Sequence, residues 1–362
     1  ARPCIDIIPS SSAGFAQLDL NRYYFNCRHR PRYVCLRDPG ISMPGSDTSP
    51  SQPGTVVAAT DLSETANAAV RWAVQVASVK GYSLHLVHAL NLAGWTADYQ
   101  ELEAKVPVQL EDAARQHLDR ITRETQHLGV DATWEVQIGQ PSEIIVAAAR
   151  RLRAQLVVLG SSGHRPFDPA LLGSTAERVV QRATCPVLTV HPGDPPPTGR
   201  IRRILLATDF SKEATWALRA SLELLTSADS EPPQVTLLHV YHVPYEFSMD
   251  SIYGPAAPDA SVWEAVAREV GSRLDRQTKA LEAELGIDIV PVSRGGYPPQ
   301  AIVQQATELQ VDWIVLGTHG RTGLAHVLLG STAERVIQKA PCPVLTVRTS
   351  MDESPGLDLR RR

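Results

Sequence analysis

The strongest constraint on what this chain can fold into is that most of it is written twice. Leu171–Val190 reads LLGSTAERVVQRATCPVLTV, and Leu328–Val347 reads LLGSTAERVIQKAPCPVLTV. Gly160 and Gly317, Gly173 and Gly330, and Cys185 and Cys342 are all 157 positions apart. Upstream, VVAATDLSETA matches ILLATDFSKEA, where Asp61 and Asp209 stand 148 apart. The second copy therefore holds nine extra residues, expected around Tyr245 to Ala260. Sequence repeats of stacked arrays run to roughly 20–50 residues, so a unit of this length is a whole domain duplicated. At roughly 150 residues per domain, the 362 residues fit two such units with a remainder.

Each copy alternates strand and helix signals. In the first, Thr55 to Thr60 is an apolar, β-rich run, and Ser63 to Lys80 has helical spacing through Ala66, Val70, Ala73, Val74 and Ala77. Leu84 to Leu90 predicts a second strand, followed by a long helical region broken at Pro107. Thr133 to Ile138, Leu156 to Leu159 and Pro186 to Val190 predict three more strands, with a Pro-started helix over Pro141 to Arg153. The expected fold class is α/β: two tandem, doubly wound, five-stranded parallel sheets with helices on both faces. If the strand order is 3-2-1-4-5, the order reverses between strands one and four, and a ligand belongs outside their carboxyl ends. Asp61 and Gly160 fall there in one copy, Asp209 and Gly317 in the other.

The remainder is marked by proline. Pro3, Pro9, Pro31, Pro39, Pro44, Pro50 and Pro53 precede the first copy, together with Cys4, Cys27 and Cys35. That stretch has no sustained periodicity, so residues 1–53 are expected to be a disordered or non-native leader; the first methionine is Met43. Pro192, Pro195, Pro196 and Pro197 mark a stiff linker over 192–200. The expected domains are 54–191 and 201–348, with a tail over 349–362. Lys+Arg 35 against Asp+Glu 39 leaves no basic excess for clamping nucleic acid. No apolar run approaches the roughly 18 residues of a membrane span. Five cysteines are too few and too scattered for a disulfide framework, and no C-x-x-C pair points to zinc or thioredoxin-like redox chemistry.

The chemistry-bearing pattern is Gly160-x2-Gly163-x9-Gly173-Ser174, repeated as Gly317-x2-Gly320-x9-Gly330-Ser331. Glycines let a backbone take φ > 0 and come close to a ligand. Ser-Thr-Ala-Glu then opens a helix whose first amides and dipole favour a phosphate. Neither copy holds Gly-Lys-Ser/Thr or G-x-G-x-x-G, so neither is a Walker A loop or a dinucleotide fingerprint.

The A-T-D at the first strand end, paired with G-x2-G-x9-G-[S/T], resembles the ATP-binding class of the universal stress protein family, in tandem. The resemblance covers about Thr55 to His191 and Ile201 to Arg348, and implies an adenine nucleotide alpha hydrolase-like fold with the order 3-2-1-4-5. It implies that the strand-one Asp meets the nucleoside, strand-two backbone meets adenine, and the glycine motif wraps ribose and phosphates. In this sequence those positions are Asp61, Ala89, Gly160, Gly163, Gly173, Ser174 and Thr175, then Asp209, Val240, Gly317, His319, Gly320, Arg321, Gly330, Ser331 and Thr332. The implied ligand is ATP, with Mg2+ as its optional ion. The family also pairs domains through the fifth strand, which implies an intramolecular pseudo-dimer and allows a homodimer. In the first copy, His164 stands where the second has Arg321, and Pro166 where it has Gly323. Proline removes an amide and fixes φ, so the second site is expected to bind more tightly.

Plainer roles compete at several positions. Ser174 and Ser331 precede Glu177 and Glu334 by three residues, the spacing of a capping box. Asp61 and Asp209 suit a turn or an N-cap. His85 with His88, and His239 with His242, are three apart on strands and so face opposite ways, which argues against a metal. Cys185, Cys342, Trp72, Trp216 and Trp313 read as core. No positioned general base or nucleophile triad accompanies the glycine motif. The expected function is therefore a cytoplasmic, nucleotide-dependent regulatory module. An ATPase or adenylyl-transferring enzyme is the runner-up, and a scaffold without nucleotide the third reading.

Overall fold

The apolar run after Gly54 becomes β1 (Thr55–Ala59), with four of its five residues buried. Such a continuous run suits a strand covered on both faces. The computed structural model describes residues 54–92, 105–162, 172–195, 199, 201–225, 231–241, 260–318 and 329–348. After β1 come α1 (Glu64–Lys80), β2 (Ser83–Leu90), α2 (Lys105–His127), β3 (Ala132–Ile138), α3 (Pro141–Arg151), β4 (Leu156–Gly160), α4 (Ser174–Arg182) and β5 (Val187–Val190). The second copy repeats the order as β6 (Arg203–Ala207), α5 (Lys212–Leu225), β7 (Gln234–Tyr241), α6 (Ala260–Leu285), β8 (Ile289–Gly295), α7 (Pro298–Leu309), β9 (Trp313–Gly317), α8 (Ser331–Lys339) and β10 (Val344–Val347).

One expectation fails at Pro107. The described helix begins at Lys105 and runs unbroken to His127, with Pro107 inside its first turn. The first amides of a helix have no intrahelical acceptor, so a residue without N–H costs nothing there. The nine-residue excess expected around Tyr245 to Ala260 lies almost wholly outside the described residues.

Within each half the strands pair in parallel in the expected order, β3-β2-β1-β4-β5 and β8-β7-β6-β9-β10. The fifth strands then pair antiparallel, joining both halves into one ten-stranded sheet. The register is Val344 with Thr189, Leu345 with Leu188 and Thr346 with Val187. Leu188 and Leu345 are the same residue of the two copies, so a pseudo-twofold axis passes between them, as in an isologous dimer. Period-two alternation sends Val56 and Ala58 to one face of the sheet and Val57 and Ala59 to the other. On the first face they pack with α1, and through Ala217 and Leu218 the same cluster includes α5. On the second, Ile145 of α3, Val179 of α4, Ile302 of α7 and Val336 of α8 share a cluster. Both apolar layers thus run across the seam. Trp72 of α1 and Trp313 of β9, both buried, bring their rings to 6.0 Å from opposite halves; Trp216 is half-buried. No helix among the described residues is long and apolar enough to cross a membrane.

Candidate functional site

Both first strands end in the same turn. Thr208 Oγ1 accepts from Phe210 N at 3.0 Å, Asp209 Oδ1 from Ser211 N at 3.0 Å, and Ser211 Oγ from Ala214 N at 3.3 Å. In the first copy Thr60, Asp61 and Ser63 make the same bonds to Leu62, Ser63 and Ala66, at 3.0, 3.0 and 3.2 Å. Asp61 and Asp209 are therefore turn residues, and Ser63 caps α1. Between them Leu62 (φ 67°) and Phe210 (φ 65°) are held left-handed. Such a conformation in a bulky residue costs on the order of 1–3 kcal/mol and persists only where its surroundings impose it. The hydroxyl and carboxylate bonds on either side impose it here. The turn holds each carboxylate at the strand end, beside the start of the following helix.

The fourth strands lead to the other wall. Gly330 N donates to Thr318 O at 2.9 Å and α8 begins one residue later; Gly173 N donates to Ser161 O at 2.8 Å before α4. The capping box, the plainer role that competed for these serines, is not formed here. Gly173 and Gly330 are themselves the N-caps, and no side chain caps either helix. Ser174 and Ser331 lie one step inside, while Glu177 and Glu334 turn to Gln181 and Gln338 of their own helices. Neither cap uses the positive φ that glycine permits; they sit at −63° and −59°. Closeness is what requires glycine: a Cβ on Gly330 would stand 3.1 Å from the Thr318 carbonyl oxygen.

In the second half these walls enclose a cavity of about 220 Å³ between β6 and β9, whose lining includes Asp209, Val240, Gly317, Gly330, Ser331 and Thr332. Among the described residues that line it, Asp209 is the sole ionisable side chain. The remaining polar groups are hydroxyls and backbone, and Val240, Leu238 and Ile302 supply apolar surface. His319, Gly320 and Arg321 lie outside the described residues, as do Gly163, His164, Pro166 and Gly323. In the first half Asp61, Ala89, Gly160, Gly173, Ser174 and Thr175 hold the matching places at the ends of β1, β2 and β4 and the start of α4. A Cβ on Gly160 would meet the Thr65 methyl at 2.9 Å, so α1 packs tightly against that strand end. Among the described residues no three His, Cys, Asp or Glu side chains group as a metal site.

Beneath the turns lies a histidine that motif reading passed over. His239 Nδ1 meets the Thr208 carbonyl at 2.7 Å, and His88 Nδ1 meets the Thr60 carbonyl at 2.8 Å. Since a carbonyl only accepts, Nδ1 carries the proton in both. The two rings occupy the same place in the repeat, a signal that aligning the second strands would have exposed. In the second half His239 stacks on Phe210 at 4.1 Å, Arg273 lies over Phe210 at 4.3 Å, and Thr208 Oγ1 donates to Gln277. In the first, Leu62 replaces the phenyl ring and His117 replaces the guanidinium. Burial, then Arg120 and His88, lower the His117 pKa. His85 faces away from His88, bonded to Thr133 Oγ1 at 2.8 Å; His242 is outside the described residues. Cys342 is buried, and burial pushes the Cys185 thiol up to about 12.

The Usp sequence model, that of the Universal stress protein family, matches residues 54–191 and 200–348. A universal stress protein of Mycolicibacterium smegmatis is 28% identical over 304 residues, 81% of this chain and 96% of its own length. One from Mycobacterium tuberculosis is 27% identical over 315 residues, 84% of this chain and 100% of its own. Among solved structures, a universal stress protein of Archaeoglobus fulgidus superposes with a TM-score of 0.60 at 23% identity, over 83% of this chain and 98% of that one, a likeness of fold.

Proposed function

The chain belongs to the universal stress protein family, and from that premise we propose that it is a cytoplasmic ATP-binding regulatory module. The observation that carries this reading is the cavity at the point where the strand order reverses, which joins apolar wall, one carboxylate and a glycine-started helix. Each part suits one part of a nucleotide. Apolar surface at Val240, Leu238 and Ile302 suits a base, and the Asp209 carboxylate accepts hydrogen bonds from ribose hydroxyls. The Ser331 and Thr332 amides, with the α8 dipole behind them, suit phosphates. A Mg2+ ion bound with the nucleotide would offset phosphate charge, and the Ser331 and Thr332 hydroxyls at the start of α8 would lie beside it, the phosphates and water supplying its other oxygens. Asp209 is already tied to Ser211 N, a positioned acceptor rather than a free general base, which favours binding over hydrolysis.

Nucleotide state has a short path to the rest of the molecule. The helix that begins at the cavity, α8, leads directly into β10, and β10 forms the seam with β5. Two measurements test the reading: mass spectrometry of ligand released from freshly purified protein, and ATP calorimetry on the full chain. Adenine nucleotide in the first and saturable heat in the second are expected; neither appearing would overturn it. ATP turnover well above background, abolished by Asp209→Ala, would put the enzyme reading in its place.

A further inference from the structure

Each half sends a side chain across the seam onto a helix end of the other, and these two side chains are chemically unequal. Just after β10, Arg348 Nη1 donates to the Gln181 carbonyl in the last turn of α4, at 2.6 Å. Its counterpart, 157 positions earlier, is His191, just after β5. His191 Nε2 meets the Ile337 carbonyl in the last turn of α8. The final carbonyls of a helix have no intrahelical partner, and the dipole favours a cation beside them. Arginine carries its charge at any working pH, whereas histidine carries one only when protonated.

The surroundings of His191 ask for that proton. Its Nδ1 lies 3.2 Å from Asp194 Oδ2, an oxygen that also accepts from His191 N at 2.6 Å. A neutral imidazole has a single N–H and so cannot donate both to Asp194 and to Ile337; an imidazolium donates to both. The side chains are 11% and 2% exposed, so water poorly replaces a lost partner. On α8, Arg335 and Lys339 are exposed, with Arg335 over the Tyr297 ring, and Glu334 accepts from Gln338. Between α8 and β10, Cys342 has a buried thiol whose pKa is raised by burial, then by Asp194 and Asp312. Burial alone would lower the His191 pKa, but Asp194 and the Ile337 carbonyl outweigh it and raise it above the ordinary value.

We propose that His191 is a proton-operated clasp between the two halves, closed while the imidazolium bridges Asp194 to α8 and loosened when the ring loses its proton, with Arg348 as its permanent counterpart. The sign follows from linkage. A raised folded-state pKa gives stability fully present below the unfolded value of about 6.5 and lost as pH rises through the folded value. Thermal unfolding of the full chain from about pH 5.5 to about pH 9 brackets that window. His191→Arg keeps the charge, so its Tm is expected to exceed that of the parent by a widening gap, a few degrees, as pH rises. In Asp194→Asn the carboxylate that favours the imidazolium is gone, so the parent-like decline should begin at lower pH. A gap independent of pH overturns the clasp. Ring-nitrogen chemical shifts in the unmutated protein decide the matter even if a variant fails to fold. An imidazolium persisting above about pH 6.5 is expected, and a neutral ring there overturns the proposal.

Discussion

The two halves share a backbone frame almost bond for bond and differ in the side chains that finish it. The turns at Asp61 and Asp209 repeat the same three side-chain-to-backbone bonds and the same left-handed residue. The left-handed residue itself is Leu62 in one half and Phe210 in the other, and it is backed by His117 in the first and Arg273 in the second. At the seam, Thr346 Oγ1 donates to Val187 O at 3.2 Å, while its counterpart Thr189 finds no partner among the described residues. A duplicated turn with diverged support indicates that the local hydroxyl and carboxylate bonds hold the turn. The groups packed below are then free to specialise each site.

The comparison breaks most easily in the core. Trp313 is fully buried where the first half has Leu156, and it alone of the two meets Trp72 across the seam. Trp313→Ala should cost about 3–5 kcal/mol by chemical denaturation, more than Leu156→Ala; equal losses would mean that the cross-seam rings add nothing. Next come the sites. Asp209→Ala is expected to weaken ATP binding by about 10–100-fold in calorimetry, the loss of a charged hydrogen-bond partner worth about 1.5–3 kcal/mol, and Asp61→Ala by less. Gly330→Val and Gly173→Val make a finer test. Their Cβ atoms would stand 3.1 and 3.2 Å from equivalent carbonyl oxygens, so both should destabilise alike. Gly330→Val should weaken ATP binding more than Gly173→Val, and matched losses of binding would contradict the ranking of the sites. The smallest effect is the shared one: Ser63→Ala and Ser211→Ala should each cost about 1 kcal/mol, since both serines accept the amide three residues on.

Much of this was legible in the residues. The 157-residue offset and the strand–helix alternation follow from repetition and periodicity, which are properties of the line of sequence, whereas the crevice between strands one and four needed the strand order that the family resemblance implied. The helix starts were harder to read. Ser174-x2-Glu177 has the spacing of a capping box, yet the glycine before it is the cap, because Gly173 N is drawn to Ser161 O at the end of β4. His88 and His239 were read only as strand histidines, since the carbonyls they bind lie 28 and 31 residues away. Pro107 was read as a break for want of knowing where the helix began.

By itself the sequence determined that one α/β unit occurs twice, which strands and helices it contains, and where Asp61, Asp209 and the glycine motifs fall on them; the strand order was only implied by the family resemblance. Those features rest on local propensity and on the alternation of apolar residues, which the chain carries without folding. The resemblance implied that the copies meet through their fifth strands; only the tertiary structure decided the details: the antiparallel register about Leu188 and Leu345, Trp72 against Trp313, and His191 and Arg348 each on the other half's helix end. These contacts join residues more than 140 positions apart. Their partners are set by packing and by unsatisfied carbonyls, and neither exists until the chain has closed on itself.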